Sequence, residues 1–198
     1  DFYEGRIQIH FLDVGQGDAV LVVAPNGNTL LYDSGPPGDA LLRALDEVLP
    51  RRNRTIDVVV ASHPDADHIG GFLDLQNRYR IGRYIDSAYF HPSSLFADTQ
   101  EYLSTHTSDR FRVQKKSYVM LGDGVFVSLA SIQQEKVDAN NGSIVMQVWY
   151  GKNHLLCTGD MDSVSEEQLV KTYGGVLEST ILKAGHHGAK TSNSERFL

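Results

Sequence analysis

The sequence predicts an α/β domain, because short strand-like runs alternate along the chain with segments of helical periodicity. The chain has 198 residues, of which 41% are hydrophobic and 22% are charged, a composition typical of one globular domain. It contains no apolar run of about 18 residues, the length needed to cross a membrane. A third observation concerns function, since ligand-type side chains follow directly after several of the predicted strands.

The first third of the chain predicts four strands and one helix. Strand-like runs cover residues 6–12, 19–23, 29–32 and 56–61. A glycine-containing loop, Asp13-Val14-Gly15-Gln16-Gly17-Asp18, separates the first two runs, and a hairpin turn over 25–28 precedes the third. After a break at 33–38, we expect Asp39 to cap a helix through about Leu49 with one apolar face.

The remainder predicts six further strands and two helices. The strands cover residues 81–88, 112–114, 125–130, 143–150, 154–158 and 179–183, and the helices cover residues 93–105 and 163–173. A hairpin turn is expected over 122–124 and a polar loop over 133–142. Ser163 and Glu166 resemble a capping box, and Leu198 is expected to lie within a further helix.

The strongest functional signal is His63-x-Asp65-x-Asp67-His68, which follows the strand over 56–61. Two nearby carboxylates repel each other, and a divalent cation removes that penalty while binding the imidazoles. The alternative is a helix N-terminus, where aspartate is common at the cap and in the first turn. That alternative explains one aspartate but not two flanked by histidines, so the pattern predicts a metal site.

Three more segments at strand ends carry ligand-type residues. Asp160 follows the strand over 154–158, and its alternative role is to cap the next helix. His186 and His187 lie in a glycine-bounded loop, which favours at least one of them as a metal ligand. Asp33 is interpreted as a residue that orients a ligand histidine or the loops around it. The remaining histidines are interpreted as packed or surface residues: His10, His91, His106 and His154.

These motifs resemble the metallo-β-lactamase superfamily. They are His63-x-Asp65-x-Asp67-His68, Thr158-Gly159-Asp160 and Gly185-His186-His187-Gly188, with Asp13-Val14-Gly15-Gln16-Gly17-Asp18, Asp33-Ser34-Gly35, Asn140-Asn141-x-Ser143 and Lys183 to Ser192. Within it, the set is similar to the extracytoplasmic domain of ComEC-type competence proteins, which internalise DNA. The resemblance spans the whole chain and implies an αββα sandwich over 1–198 with a two-metal centre at one rim. It also implies an extracytoplasmic location and a missing C-terminal segment, and it is compatible with an upstream membrane channel domain or protein.

The resemblance implies a set of ligands for two divalent ions, manganese or zinc. His63 and Asp65 would hold the first ion, Asp67 and His68 the second, with His186 as a later ligand of the second and His187 as its alternative. Asp160 would bridge the two ions. Most of the superfamily has histidine where Asp65 stands, which favours manganese somewhat over zinc. The superfamily usually has a further histidine between the first motif and Asp160, and this chain has no match for it. Asn140, Asn141 or Ser143 occupies that part of the sequence instead.

The leading hypothesis is a metal-dependent phosphodiesterase or nuclease that acts on single-stranded DNA during uptake. Asp67 would accept a proton from the attacking water and His187 would donate one to the leaving group. A hydrolase of small esters, lactones or phosphodiesters is one alternative, and a non-catalytic DNA-binding module is another. The net charge of −7 fits a DNA-binding protein only if bound metal offsets part of it. The single Cys157 predicts no disulfide, and the sequence leaves the oligomeric state open.

Overall fold

A computed structural model describes residues 5–87, 89–132 and 138–198. Two β-sheets face each other, and helices cover parts of their outer faces. One core lies between the sheets, a second lies between the first sheet and its helices, and a third lies between the second sheet and the last helix. This four-layer arrangement confirms the predicted αββα sandwich.

The first sheet has six strands in sequence order. They are β1 (Gln8–Phe11), β2 (Val20–Val23), β3 (Thr29–Tyr32), β4 (Thr55–Val60), β5 (Arg80–Ser87) and β6 (Thr107–Val113). The first three strands are antiparallel, whereas β3 to β6 run parallel. The carboxyl ends of β3 and β4 therefore lie side by side at one edge of this sheet.

The second sheet has five strands in the order β11-β10-β9-β8-β7. They are β7 (Lys116–Gly122), β8 (Val125–Ser131), β9 (Ile144–Tyr150), β10 (Asn153–Cys157) and β11 (Ile181–Lys183). Strands β7 to β10 are antiparallel, and β11 pairs in parallel with β10. The carboxyl ends of β10 and β11 are thus also neighbours.

Four α-helices and three 3-10 segments complete the described chain. The helices are α1 (Ala40–Val48), α2 (Ala66–Ile69), α3 (Ser94–His106) and α4 (Ser163–Tyr173), and the 3-10 segments are Gly70–Asn77, Gly174–Leu177 and Gly185–Gly188. Helix α1 buries Leu41, Ala44 and Leu45, a spacing that forms one apolar stripe against the first sheet. Among the described residues, no helix has the length and apolarity to cross a bilayer.

Several local predictions were wrong in detail. Strand β7 was not predicted, and β6 is longer than the expected 112–114. Asp39 precedes α1 but makes no side-chain cap, and α4 is capped by Asp162, whose carboxylate accepts from the backbone N–H of Ser165 at 2.9 Å. The expected capping box is therefore absent.

Two further expectations concern the chain's loops and last residues. Residues 194–198 form hydrogen-bonded turns rather than a helix, with the N–H groups of Phe197 and Leu198 donating to the carbonyl of Ser194. Residue 88 of one predicted strand and residues 133–137 of the predicted polar loop lie outside the described residues.

Candidate metal centre

Four loops meet at one rim of the sandwich, where strands from both sheets end. Asp33 follows β3, His63 begins the loop after β4, Asp160 follows β10, and the His186-His187 pair follows β11. Adjacent parallel strands end at the same edge, which places these loops together although they are far apart in sequence. The backbone N–H of Asp33 donates to Val60 at 2.8 Å, joining the ends of β3 and β4.

The segment after β4 turns its ligand-type side chains toward this rim. Asp65 is extended and precedes α2, but its carboxylate makes no cap hydrogen bond and stays available to the centre. The short helix α2 then carries Asp67 and His68. The carbonyl of His68 accepts from the N–H of Ser34 at 2.7 Å, which ties α2 to the loop after β3.

Asp160 lies at the middle of the cluster and is 4% exposed. Its Oδ2 is 4.0 Å from Nε2 of His63, 3.4 Å from Nε2 of His68, 3.8 Å from Nε2 of His186 and 3.5 Å from Nε2 of His187. Four imidazole nitrogens therefore surround one carboxylate oxygen.

The donor set fits divalent cations. Nε2 of His63, Nε2 of His68 and Oδ1 of Asp160 are buried without hydrogen-bond partners, although buried polar atoms are normally satisfied. Two groups each offer three ligand atoms within 4.8 Å of one another: His63, His68 and Asp160, and Asp67, His68 and His187. Imidazole and carboxylate together suit zinc, manganese or iron.

Asp33 and Ser62 fix the orientation of two of these histidines. The buried Asp33 carboxylate accepts from the Ser62 N–H at 2.7 Å, from the Ser62 hydroxyl at 2.7 Å and from Nδ1–H of His68 at 2.9 Å. Because the Ser62 hydroxyl hydrogen points to Asp33, its oxygen accepts from Nδ1–H of His63 at 2.9 Å. Both histidines consequently direct Nε2 to the centre, where a cation can bind in place of a proton.

Burial and charge shift the pKa values of the cluster in opposite directions. Burial lowers the pKa of His63 well below its usual value. Burial also acts to lower the pKa of His68, but the Asp33 and Asp160 carboxylates raise it well above the usual value. Burial opposes ionisation of Asp160, yet the neighbouring His68, with charge from His63, brings its pKa down to about 2. Asp160 is therefore an anion ready to bind cations.

The histidine pair divides into two different environments. Nε2 of His187 lies 3.3 Å from Oδ2 of Asp67, and its Nδ1 lies 3.3 Å from Oδ1 of Asp18. Lys183 forms an ion pair with the other oxygen of Asp18. Asp18 thus lies beside Nδ1 of His187, on the same ring position that Asp33 contacts in His68. Within the described residues, His186 contacts only Asp160 among the carboxylates, so the geometry favours His187, the predicted alternative, as the ligand beside Asp67.

Residues near 193 hold the loop that carries this pair. Asn193 accepts from the N–H of Gly185 at 2.8 Å and donates to its carbonyl at 3.0 Å. The buried Glu166 of α4 accepts from the backbone N–H of Asn193 at 2.6 Å. This support matters because His186 and His187 have φ of +49° and +51°, a left-handed conformation that residues with a Cβ rarely adopt.

The stretch before β9 supports the site without offering ligands at Asn141 or Ser143. Asn141 accepts from the N–H of Asp162 at 2.9 Å and donates to its carboxylate at 3.2 Å. Ser143 donates to the carbonyl of Asn140 at 2.6 Å and accepts from the N–H of Asp160 at 3.2 Å. These contacts position Asp160 and the start of α4.

His91 is a member of the site that sequence reasoning missed. Its Nε2 lies 4.0 Å from Oδ1 of Asp65, and the other oxygen of that carboxylate, Oδ2, lies 3.7 Å from Nε2 of His63. The interpretation of His91 as a surface residue was incomplete, since it is partly exposed but also faces a candidate ligand. No motif spacing indicates this contact, which depends on how the loop before α3 folds against α2.

Comparisons with known proteins agree with the observed fold. The sequence model of the metallo-beta-lactamase superfamily matches residues 12–198. A mutant metallo-beta-lactamase from Cronobacter sakazakii superposes with a TM-score of 0.60 at 17% identity, covering 91% of this chain and 77% of that one. That likeness concerns the fold.

Two relatives are similar over nearly the whole chain. Competence protein ComA of Neisseria gonorrhoeae is 33% identical over 98% of this chain and 26% of its own length. Recombination protein 2 of Haemophilus influenzae strain Rd is 32% identical over 96% of this chain and 22% of its own length. The chain thus spans about a quarter of the length of these relatives.

Proposed function

The chain belongs to the metallo-beta-lactamase superfamily, and from that premise we propose that it is a metal-dependent phosphodiesterase that cleaves single-stranded DNA during competence-type uptake. The observation that carries the proposal is the cluster of imidazole nitrogens and carboxylates around Asp160, whose buried polar atoms lack partners. The resemblance to competence and recombination proteins supports DNA as the substrate.

Two divalent ions, held by this cluster, would supply an activated water and offset the negative charge of a phosphate group. We assign His63 and Asp65 to the first ion, Asp67, His68 and His187 to the second, and Asp160 to both. The aspartate at position 65 adds a hard oxygen ligand, which favours manganese over zinc.

The chain's own side chains would move the protons. Asp67 is about one third exposed and faces the same opening as His187, so we assign to it the proton of the attacking water. His187 was first predicted as the proton donor to the leaving group. With His187 assigned as a ligand, that role passes to His186, whose side chain is 34% exposed at the mouth of the site.

The activity is tested with labelled single-stranded DNA, bis-p-nitrophenyl phosphate, and a panel of esters, lactones and lactams, each with manganese, zinc or magnesium. We expect manganese-dependent cleavage of the two phosphodiesters and a loss of about 100-fold or more in Asp160→Asn, because one ligand serves both ions. His106→Ala, at an exposed helix end, is the matched control. Turnover of the esters, lactones or lactams without phosphodiester cleavage would instead identify a small-molecule hydrolase.

A non-catalytic DNA-binding module is the second candidate. The contacts of Asn141 and Ser143 favour it, because they leave the first ion with His63, Asp65 and Asp160 as the assigned ligands. Metal analysis together with DNA binding by Asp67→Ala separates the candidates. Less than one equivalent of metal, with DNA binding retained in that variant, would establish the binding module.

We place this activity outside the cytoplasm, in a larger uptake protein that includes or meets a membrane channel. The support is the similarity to competence proteins and the small share of their length that the chain spans. Protease accessibility of the domain in intact cells or spheroplasts tests the location.

A further inference from the structure

His91 lies beside the candidate centre but lacks the hydrogen-bond pattern expected of a histidine that binds a metal. It lies in the loop before α3, and its side chain is 37% exposed while that of Asp65 is 33% exposed. Both side chains are therefore open to an incoming molecule. An imidazole here could complete the first ion's ligands or could contact the substrate, and its hydrogen bonds distinguish these two roles.

The tautomer of His91 is set by Ser93. The backbone N–H of Ser93 donates to Nδ1 of His91 at 3.2 Å. The Ser93 oxygen caps α3 by accepting from Phe96 at 3.2 Å, so its hydrogen is free to point at the same Nδ1, 2.9 Å away. A ring nitrogen that accepts hydrogen bonds carries no hydrogen, so the hydrogen of the neutral imidazole is on Nε2.

This arrangement is the reverse of the one in the ligand-type histidines. His63 and His68 donate from Nδ1 and direct Nε2 at the centre, where a cation can bind. His91 presents an N–H at the corresponding position. It would have to lose both Ser93 contacts and change tautomer before Nε2 could bind a cation.

We propose that His91 is a phosphate-binding residue, whose Nε2–H donates to a non-bridging oxygen of the scissile phosphodiester beside the first ion. The phosphodiester substrate in this proposal is the one given by the proposed function, on which the proposal rests. The neighbouring side chains of Asp65, Asp67 and Asp160 cannot donate to a phosphate oxygen, because they are carboxylates that repel a phosphate. Lys183, which ends β11 and precedes the histidine pair, is already paired with Asp18. An N–H donor on the Asp65 side therefore supplies recognition that the carboxylates cannot.

The test compares His91→Ala and His91→Gln, with His106→Ala as control. Calorimetry gives the stoichiometry and affinity of Mn²⁺ alone, then of inorganic phosphate added to the manganese-loaded protein, and kinetics give KM for bis-p-nitrophenyl phosphate. We expect His91→Ala to keep the manganese stoichiometry and affinity within about threefold while phosphate binding weakens about tenfold, a difference of about 1.4 kcal/mol. His91→Gln, whose amide retains a donor, should recover most of the phosphate affinity.

Each other outcome has a defined meaning. Loss of a manganese equivalent in His91→Ala would make His91 a metal ligand and overturn the proposal. Unchanged phosphate binding in that variant, or a glutamine variant as weak as the alanine one, would overturn it too, as would a wild-type protein that binds no phosphate. Phosphate binding that depends on His91 without any cleavage of phosphodiesters would support His91 but refute the proposed enzyme.

Discussion

Asp33 links both buried candidate ligand histidines, one directly and one through Ser62. Its position also requires an unusual backbone, because φ is +61° there. Aspartate and asparagine tolerate this left-handed conformation better than most residues. The same side chain therefore satisfies a backbone requirement and orients two imidazoles.

Asp33→Asn tests the orienting role while keeping the shape and the backbone preference. The amide cannot accept on both terminal atoms, so either His68 or Ser62 loses its partner. We expect manganese affinity to fall about 10–100-fold, the usual effect of removing a group that orients a metal ligand. Calorimetric titration measures it. Asp123→Asn is the matched control, since Asp123 is exposed and also has positive φ, +46°; equal affinities in all three proteins would contradict the role.

The opposite pKa shifts of His63 and His68 predict a stability maximum near pH 6.5 for the metal-free protein. The pKa of His63 is lowered by burial, so below pH 6.5 the unfolded chain binds the proton more tightly and stability falls. The pKa of His68 is raised by Asp33 and Asp160 over the opposing effect of burial. Its stabilisation is complete below 6.5 and is lost as the pH rises through the raised pKa.

Urea unfolding with a chelator, at about pH 5.5, 6.5 and 8, measures this dependence. We expect the highest free energy of unfolding at the middle value. Saturating manganese should remove the loss above pH 6.5, because the ion then takes the place of the proton on His68. A metal-free protein that gains stability between pH 6.5 and 8 would contradict the assigned shifts.

At the scale of elements, the loop after β11 depends on a segment that follows it. Asn193 has φ of +60° and holds both backbone groups of Gly185. Asn193→Gly keeps that backbone conformation and removes two side-chain hydrogen bonds. We expect a loss of about 1–3 kcal/mol in the free energy of unfolding, together with weaker manganese binding as His187 loosens.

Unfolding in urea and manganese titration are read together for this variant, with the exposed Lys190→Ala as control. If stability falls while manganese affinity stays at the wild-type value, Asn193 supports the fold but not the position of His187.

Elements with a clear local pattern could be predicted from the sequence, and others could not. Helix α1 shows its apolar stripe and β4 is an apolar run, so both were found close to their observed bounds. Strand β7 was missed because it is an edge strand whose apolar Tyr118 and Met120 are each 71% exposed, so apolar and polar residues do not alternate along it. Its place is decided by pairing with β8.

The same division applies to the candidate site. The cluster from His63 to His68 is local and was visible as a motif, whereas the choice between His186 and His187 depends on Asp18, far away in sequence. The contact of His91 with Asp65 arises only from the packing of two loops. Tertiary contacts of this kind have no signature in residue spacing.

For the whole molecule, the negative charge is concentrated where the sheets end. Asp18, Asp33, Asp65, Asp67 and Asp160 all lie around the histidine cluster. Two other acidic residues near the motifs have local structural roles instead. Asp13 accepts a hydrogen bond from the N–H of Gly15, and Asp162 caps α4. The net charge of −7 is thus compatible with an anionic substrate once cations are bound.

Removing metal should therefore destabilise the whole domain. At a free ion concentration 100 times Kd, binding adds about 2.7 kcal/mol to the folded state. We expect chelation to lower Tm by about 5–10 °C in a domain of this size. Thermal unfolding with manganese, with a chelator and after re-addition of manganese measures this effect, and a chelator-insensitive Tm in protein shown to contain metal would refute it.

The hydrogen bond from the N–H of Ile144 to the carbonyl of Ser62, at 2.8 Å, marks where the two sheets join beside the centre. The assigned ligands come from both sides of this seam, His63 and His68 from one sheet and Asp160 and His187 from the other. An ion held there would link the two sheets through ligands from both of them. Its binding would then slow separation of the sheets at this rim, and hydrogen exchange of the Ile144 amide, with manganese and with a chelator, measures this without unfolding the protein.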